Sequence, residues 1–199
     1  MNIVIISGHP RADSFTHALA QSYQQGAEAG GAKANLFSLS QGNLNTGPMV
    51  SGPSKENWND EISALWTAIK KADHIVVAHP LWWGSMPAEL KNLFDRLLLP
   101  NLAYSYKKGS PLPVGHLKGK SAEVIMTSDT PDWYYRLAYG KAQTKLMKNQ
   151  ILKFVGLKPL RFTHISPIHN MPAPKRQMHL NKIADMAKKF VAKHKKSAA

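Results

Sequence analysis

The chain has 199 residues, 43% of them hydrophobic, enough to bury a substantial core in one domain and too apolar for a disordered chain. It has no cysteine, which excludes disulfides, thiolate metal sites, iron–sulfur clusters and a cysteine nucleophile. Its 26 Lys and Arg against 12 Asp and Glu give a net charge of +14. Lys182, Lys188, Lys189, Lys193, Lys195 and Lys196 crowd the end, which reads as the solvated tail of a helix rather than a nucleic-acid or membrane surface.

In chain order, Ile3 to Ser7 is an apolar run without a polar face, as expected of a strand covered on both sides. The run is too short for a signal peptide or a membrane span, and no other segment reaches about 18 apolar residues, so a cytoplasmic protein is expected. A helix follows from about Ser14 to Ala29 and ends at Gly30-Gly31; Ala34 to Leu39 reads as the second strand. Residues 40–54, with Gly42, Gly47, Pro48, Gly52 and Pro53, read as a long loop. Ile62, Leu65, Trp66 and Ile69 have helical spacing, with Asn57 as the expected N-cap. Ile75 to Ala78 is a third buried strand. Leu90, Leu93, Phe94, Leu97 and Leu98 form a helical face stopped by Pro100. Asp95 and Arg96 read as a solvated pair on that helix.

Pro111, Pro113 and Gly115 mark a second long loop, and Ala122 to Thr127 a fourth strand. Met147, Ile151, Phe154 and Val155 line a helix stopped at Gly156, before an edge strand from Leu160 to Ile165. Leu180, Ile183, Ala184, Ala187 and Val191 give a basic C-terminal helix over about residues 175–196. No linker or repeat divides residues 1–199, so a single domain is expected. Strands separated by helices imply an α/β doubly wound parallel sheet, order 2-1-3-4-5, with helices on both faces. Ligands then bind beyond the carboxyl ends of the strands, where the loops after Ser7, His79 and Thr127 converge.

The first of these loops, Ser7-Gly8-His9-Pro10-Arg11-Ala12-Asp13-Ser14-Phe15-Thr16, joins a buried strand to a helix start. Free N–H groups and the positive helix end there suit an anion; Ser14 and Thr16 add hydroxyls, and His9 and Arg11 add charge or hydrogen bonds. Plain capping by Asp13 or Ser14 uses the same groups and remains open. The second loop places adjacent Trp82 and Trp83 at a strand end, where indoles can border a flat aromatic ligand; Gly84 permits close approach and Ser85 is the expected cap of the next helix. Neighbours on a strand cannot both point inward, so one of the two indoles is expected in the core. The third loop runs from Thr127 through Ser128, Asp129, Thr130 and Pro131 into Trp133-Tyr134-Tyr135, where packing of Trp133 or Tyr135 against the body is the ordinary expectation. His164 and His169 lack accompanying carboxylates, no G-x-S-x-G elbow is present, and no metal is expected.

Together, Ser7-Gly8-His9-Pro10, Ser14-Phe15 and the run from Pro80 through Trp82-Trp83-Gly84-Ser85-Met86-Pro87-Ala88-Glu89-Leu90 to Lys91 resemble the flavodoxin-like NAD(P)H:quinone oxidoreductases. Ala103-Tyr104-Ser105-Tyr106 and Ile151 to Gly156 extend the likeness from Met1 to about residue 168. The resemblance implies a flavodoxin-like fold holding a flavin, FMN or FAD. His9, Ser14, Phe15 and Thr16 match the family's flavin-phosphate segment, and Pro80, Leu81, Trp82, Trp83 and Gly84 the segment beside the isoalloxazine. Thr127, Ser128, Asp129 and Thr130 match a third flavin loop, although relatives often carry a glycine-rich turn where this chain has Asp129-Thr130-Pro131. Tyr134 and Tyr139 are the implied catalytic groups near the substrate. The implied reaction passes a hydride from NAD(P)H to the flavin N5 and on to a quinone-like acceptor, in a homodimer with active sites at the subunit interface. An azo-, nitro- or flavin reductase, a non-enzymatic flavodoxin-type electron carrier and a regulatory subunit are the alternatives.

Overall fold

The fold was analysed in a computed structural model, which describes residues 1–42, 44 and 52–198. The expected loop over 40–54 lies largely outside the described residues. The strands are β1 (Asn2–Ser7), β2 (Lys33–Ser38), β3 (His74–Pro80), β4 (Tyr104–Tyr106), β5 (Pro113–Gly115), β6 (Ser121–Thr127) and β7 (Leu160–Ile165). The helices are α1 (Phe15–Ala29), α2 (Asp60–Lys71), α3 (Ala88–Leu97), α4 (Asp132–Leu137), α5 (Ala142–Leu146) and α6 (Ala173–Ala198). Five strands form one parallel sheet in the order β2-β1-β3-β6-β7, the doubly wound order expected.

Every residue of β3 and β6 is buried, as central strands covered on both faces require. Alternate residues feed two cores. Val4, Ile6, Ile75, Val77 and Val124 face Leu65, Ile69, Leu90 and Leu93 of α2 and α3. Ile3, Ile5, Val76, Ala78 and Ile125 face Leu19 and Tyr23 of α1 and Ile183 and Phe190 of α6. The β7 strand is the half-exposed edge expected from Arg161 and Thr163.

Several local expectations need correction. Asn59, not Asn57, caps α2, its Oδ1 accepting from the Ile62 N–H at 2.9 Å, while the Asn57 side chain donates to the Gly52 carbonyl. Ser85 does not cap α3: Pro87 holds that position without a side-chain bond, and the Ser85 hydroxyl donates to Gln143 Oε1 at 3.3 Å. Asp95 pairs with Lys91 one turn back, but Arg96 is buried and donates to the Asn57 carbonyl at 3.1 Å. The second loop contains a hairpin, β5 against β4, with Pro113 at a strand's first position, where its missing N–H is tolerated. Beyond α5 the helix widens to i→i+5 bonding over Met147–Leu152, a device that recurs near functional sites.

Candidate functional site

β3 and β6 stop level with each other, Pro80 beside Thr127, and β1 stops two residues short of them, Ser7 beside Ala78. Backbone bonds continue past the strand ends, with the Gly8 N–H donating to the Ala78 carbonyl and the Leu81 N–H to the Thr127 carbonyl, both at 2.7 Å. The Thr16 and Thr127 hydroxyls meet at 2.7 Å, tying the first loop to the third. The His9 ring stands edge-on to the Trp82 indole, centroids 5.3 Å apart, tying the first to the second. The three loops converge beyond the carboxyl ends of the sheet, at the switch point of the doubly wound order.

The first loop carries donors and a positive end. Ser14 caps α1, its Oγ accepting from the His17 N–H at 3.1 Å, which leaves its own hydrogen free to donate. The amides of Phe15 and Thr16 start the helix and have no intrahelical partner. Capping and anion binding therefore coexist here, because they use different atoms of the same residues. Burial, and after it the Arg11 guanidinium, hold the His9 pKa below the usual histidine value. His9 is thus neutral near pH 7. Its Nδ1 accepts from the Arg11 N–H at 3.0 Å, so its hydrogen sits on Nε2 and can donate. Arg11 is exposed, 3.9 Å from Asp13, and adds a mobile charge at the rim.

The second loop overturns the expectation of one buried indole. Trp82 and Ser85 exchange backbone hydrogen bonds at 2.8 and 2.9 Å, closing a two-residue turn with Trp83 at φ 49° and Gly84 at φ 79°. Such a primed turn aims its central side chains away from the strand. Trp82 is 41% exposed and Trp83 wholly so; the expectation failed because strand alternation ends where the turn begins. Nothing lies within 4 Å of where a Gly84 side chain would start, so the space over the turn is open. Neither indole plugs the rim.

In the third loop Thr127 and Ser128 are buried, Asp129 is exposed and Thr130 half-buried. Tyr135 packs inward as expected; Trp133 does not, and forms with Tyr134 and Tyr139 an exposed chain of edge-to-face rings, with centroids 5.5 and 5.1 Å apart. Sequence reasoning missed two polar linkages. One is the Ser85–Gln143 bond. The other joins Ser128 Oγ to His164 Nε2 at 2.8 Å and His164 Nδ1 to Asp132 Oδ1 at 2.9 Å. His164 thus serves a carboxylate and a hydroxyl, not a metal with His169, and the described residues hold no group of three metal-ligating side chains.

The profile of the flavodoxin-like fold family matches residues 1–190. The chain belongs to that family. It is 30% identical over 176 residues, 85% of each chain, to an uncharacterised NAD(P)H oxidoreductase of Haemophilus influenzae. It is 28% identical over 156 residues to an FMN-dependent NADH:quinone oxidoreductase of Metamycoplasma arthritidis, covering 78% of this chain and 76% of that one. Among solved structures it is similar to Smu.1420 from Streptococcus mutans UA159, at TM-score 0.80 and 28% identity over 95% of this chain and all of the other. An NAD(P)H:quinone oxidoreductase from Methanothermobacter marburgensis shares the fold at TM-score 0.75 and 19% identity, over 96% and 98%. No described helix is long and apolar enough to cross a membrane.

Proposed function

We propose that the chain is a flavin-dependent NAD(P)H:quinone oxidoreductase that binds FMN. The observation that carries the reading is the convergence of a helix start, an exposed indole turn and a hydroxyl-bearing loop at one sheet edge, joined by the His9–Trp82 and Thr16–Thr127 contacts. FMN-dependent relatives favour FMN over FAD.

The residues fit such a group. The Phe15 and Thr16 amides, the free hydrogen of Ser14 and the Nε2 hydrogen of His9 would hold its phosphate, helped by the positive end of α1. Pro80, Leu81 and Gly84 would leave backbone groups beside its ring, and Trp82 and Trp83 would border it. Thr127 to Thr130 would close the opposite side. When bound, the flavin supplies the hydride transfer from nicotinamide to acceptor. The chain itself needs no nucleophile: it orients the ring, keeps water from one face and holds donors near the acceptor. Tyr134 and Tyr139, exposed on and after α4, would shape the acceptor's entrance. We further propose a homodimer, supported by the exposed Trp133, Tyr134, Leu137 and Tyr139 on and after α4, an apolar surface suited to a second copy.

The test is to purify the protein, record its visible spectrum, identify the released flavin by mass, and follow NADH oxidation with a benzoquinone. A colourless protein that takes up neither FMN nor FAD removes the reading. Light scattering decides the dimer.

A further inference from the structure

Three residues, Ser128 of the third flavin loop and two outside the flavin-holding set, stand in a row at the edge of this site. Ser128 follows β6 directly, Asp132 opens α4, and His164 is the penultimate residue of β7. Asp132 Oδ1 lies 2.9 Å from His164 Nδ1, and its other oxygen accepts from the Arg136 guanidinium. His164 Nε2 lies 2.8 Å from Ser128 Oγ, which also lies 3.0 Å from the Thr130 carbonyl. The chain order Ser, Asp, His and the spacing are those of a hydrolase triad. The surroundings are not: Ser128 is 5% exposed, its hydroxyl has a second acceptor in the Thr130 carbonyl, and no elbow motif surrounds it. A hydroxyl held between an imidazole and a backbone carbonyl is arranged to hand on a proton rather than to attack a carbonyl carbon.

Resting on the function proposed above, we infer that Asp132, His164 and Ser128 form a proton relay that delivers the second hydrogen of the reduced acceptor. Reducing a quinone to a hydroquinone consumes two electrons and two hydrogens. One hydrogen arrives with both electrons as hydride from NAD(P)H; the other must come as a proton. With His164 doubly protonated, its Nε2–H donates to Ser128 Oγ. The Ser128 hydrogen turns from the Thr130 carbonyl to the acceptor's oxyanion as the Nε2 proton crosses to Oγ. His164 is left neutral, with Nδ1–H on Asp132, and regains its proton from water at its partly exposed edge. Ser128 is the donor; His164 and Asp132 act through it as positioning residues.

The groups that face His164 are few. Asp132 and, through it, Arg136 come from α4; the Tyr135 ring lies 4.9 Å away on the same helix. His79 of β3 and Gln143 of α5 share a small cavity with the imidazole. Burial keeps His79 neutral, with a pKa of about 4, so Asp132 is the full charge in contact with the ring.

The test compares two acceptors in rapid reoxidation of the NADH-reduced holoenzyme: 1,4-benzoquinone, which needs protons, and ferricyanide, which takes electrons alone. In His164→Gln the benzoquinone rate falls about 10-fold or more relative to ferricyanide. The wild-type benzoquinone rate declines as pH rises, because the relay starts from a proton on the imidazole, and the variant's does not. Asp132→Asn, outside the flavin-holding loop, gives the same acceptor-specific loss and serves if His164→Gln does not fold. Equal loss with both acceptors, or none, overturns the relay. Nitrogen NMR of the flavin-free protein provides a reading independent of turnover. Neutral His164 carries its hydrogen on Nδ1, and finding it on Nε2 also overturns the relay. Failure of the functional reading shows separately, as a wild type that binds no flavin.

Discussion

Trp83 combines a left-handed backbone with an indole wholly in water. For a residue with a Cβ that conformation costs about 1–2 kcal/mol, and no burial of the ring offsets it. The expected consequence is a divergence between stability and binding. Trp83→Gly raises the unfolding free energy of the flavin-free protein by about 1 kcal/mol, because glycine suits both central positions of a primed turn. The same change weakens FMN binding about 10-fold, since a stacked aromatic contact of about 1.4 kcal/mol is lost. Urea unfolding and fluorescence titration with FMN read the two effects. A variant that loses both stability and affinity would show that the indole packs against the protein instead.

At the scale of the element, Gly26 is where α1 and α6 cross. A side-chain carbon there would overlap the backbone of Ala184, so one helix must shift. Gly26→Ala is expected to cost about 1–3 kcal/mol despite alanine's better helix propensity. A gain in chemical denaturation would mean the crossing is looser than it stands. At α2, Asn59→Ala should cost about 1 kcal/mol, and Asn57→Ala less, because only Asn59 accepts from the helix's first turn. Hydrophobic period placed the sheet strands and the long helices within a few residues, because burial on one or both faces repeats along the chain. Which of two asparagines caps was not legible: both lie within one turn of the helix start, and the choice depends on where Asn57 finds the Gly52 carbonyl. The hairpin of β4 and β5 was missed because three-residue strands are too short to show a period.

For the molecule as a whole, the three-loop site was legible because strand order alone dictates which loops meet. The Ser128–His164–Asp132 and Ser85–Gln143 linkages were not, since they join residues far apart in sequence and leave no local pattern. Equally hidden was a set of buried neutral histidines, and these set how the fold responds to acid. Burial holds His74 at about 3 and His79 at about 4, and also lowers His9 and His17. In the unfolded chain each titrates near 6.5. Below that pH the unfolded state binds more protons than the folded one, so stability falls as pH falls. Each fully buried histidine contributes about 1.4 kcal/mol per pH unit, so His74 and His79 together remove roughly 4 kcal/mol by pH 5. Glu123 opposes them: burial raises its folded pKa, so its protonated form stabilises the fold as pH falls toward the carboxylate range. Urea unfolding at pH 7 and pH 5 should therefore show a clear loss at the lower pH, and His74→Gln should flatten the slope by about 1.4 kcal/mol per pH unit. An unfolding free energy equal at the two pH values would mean that these rings are protonated, and hence solvated, in the folded protein.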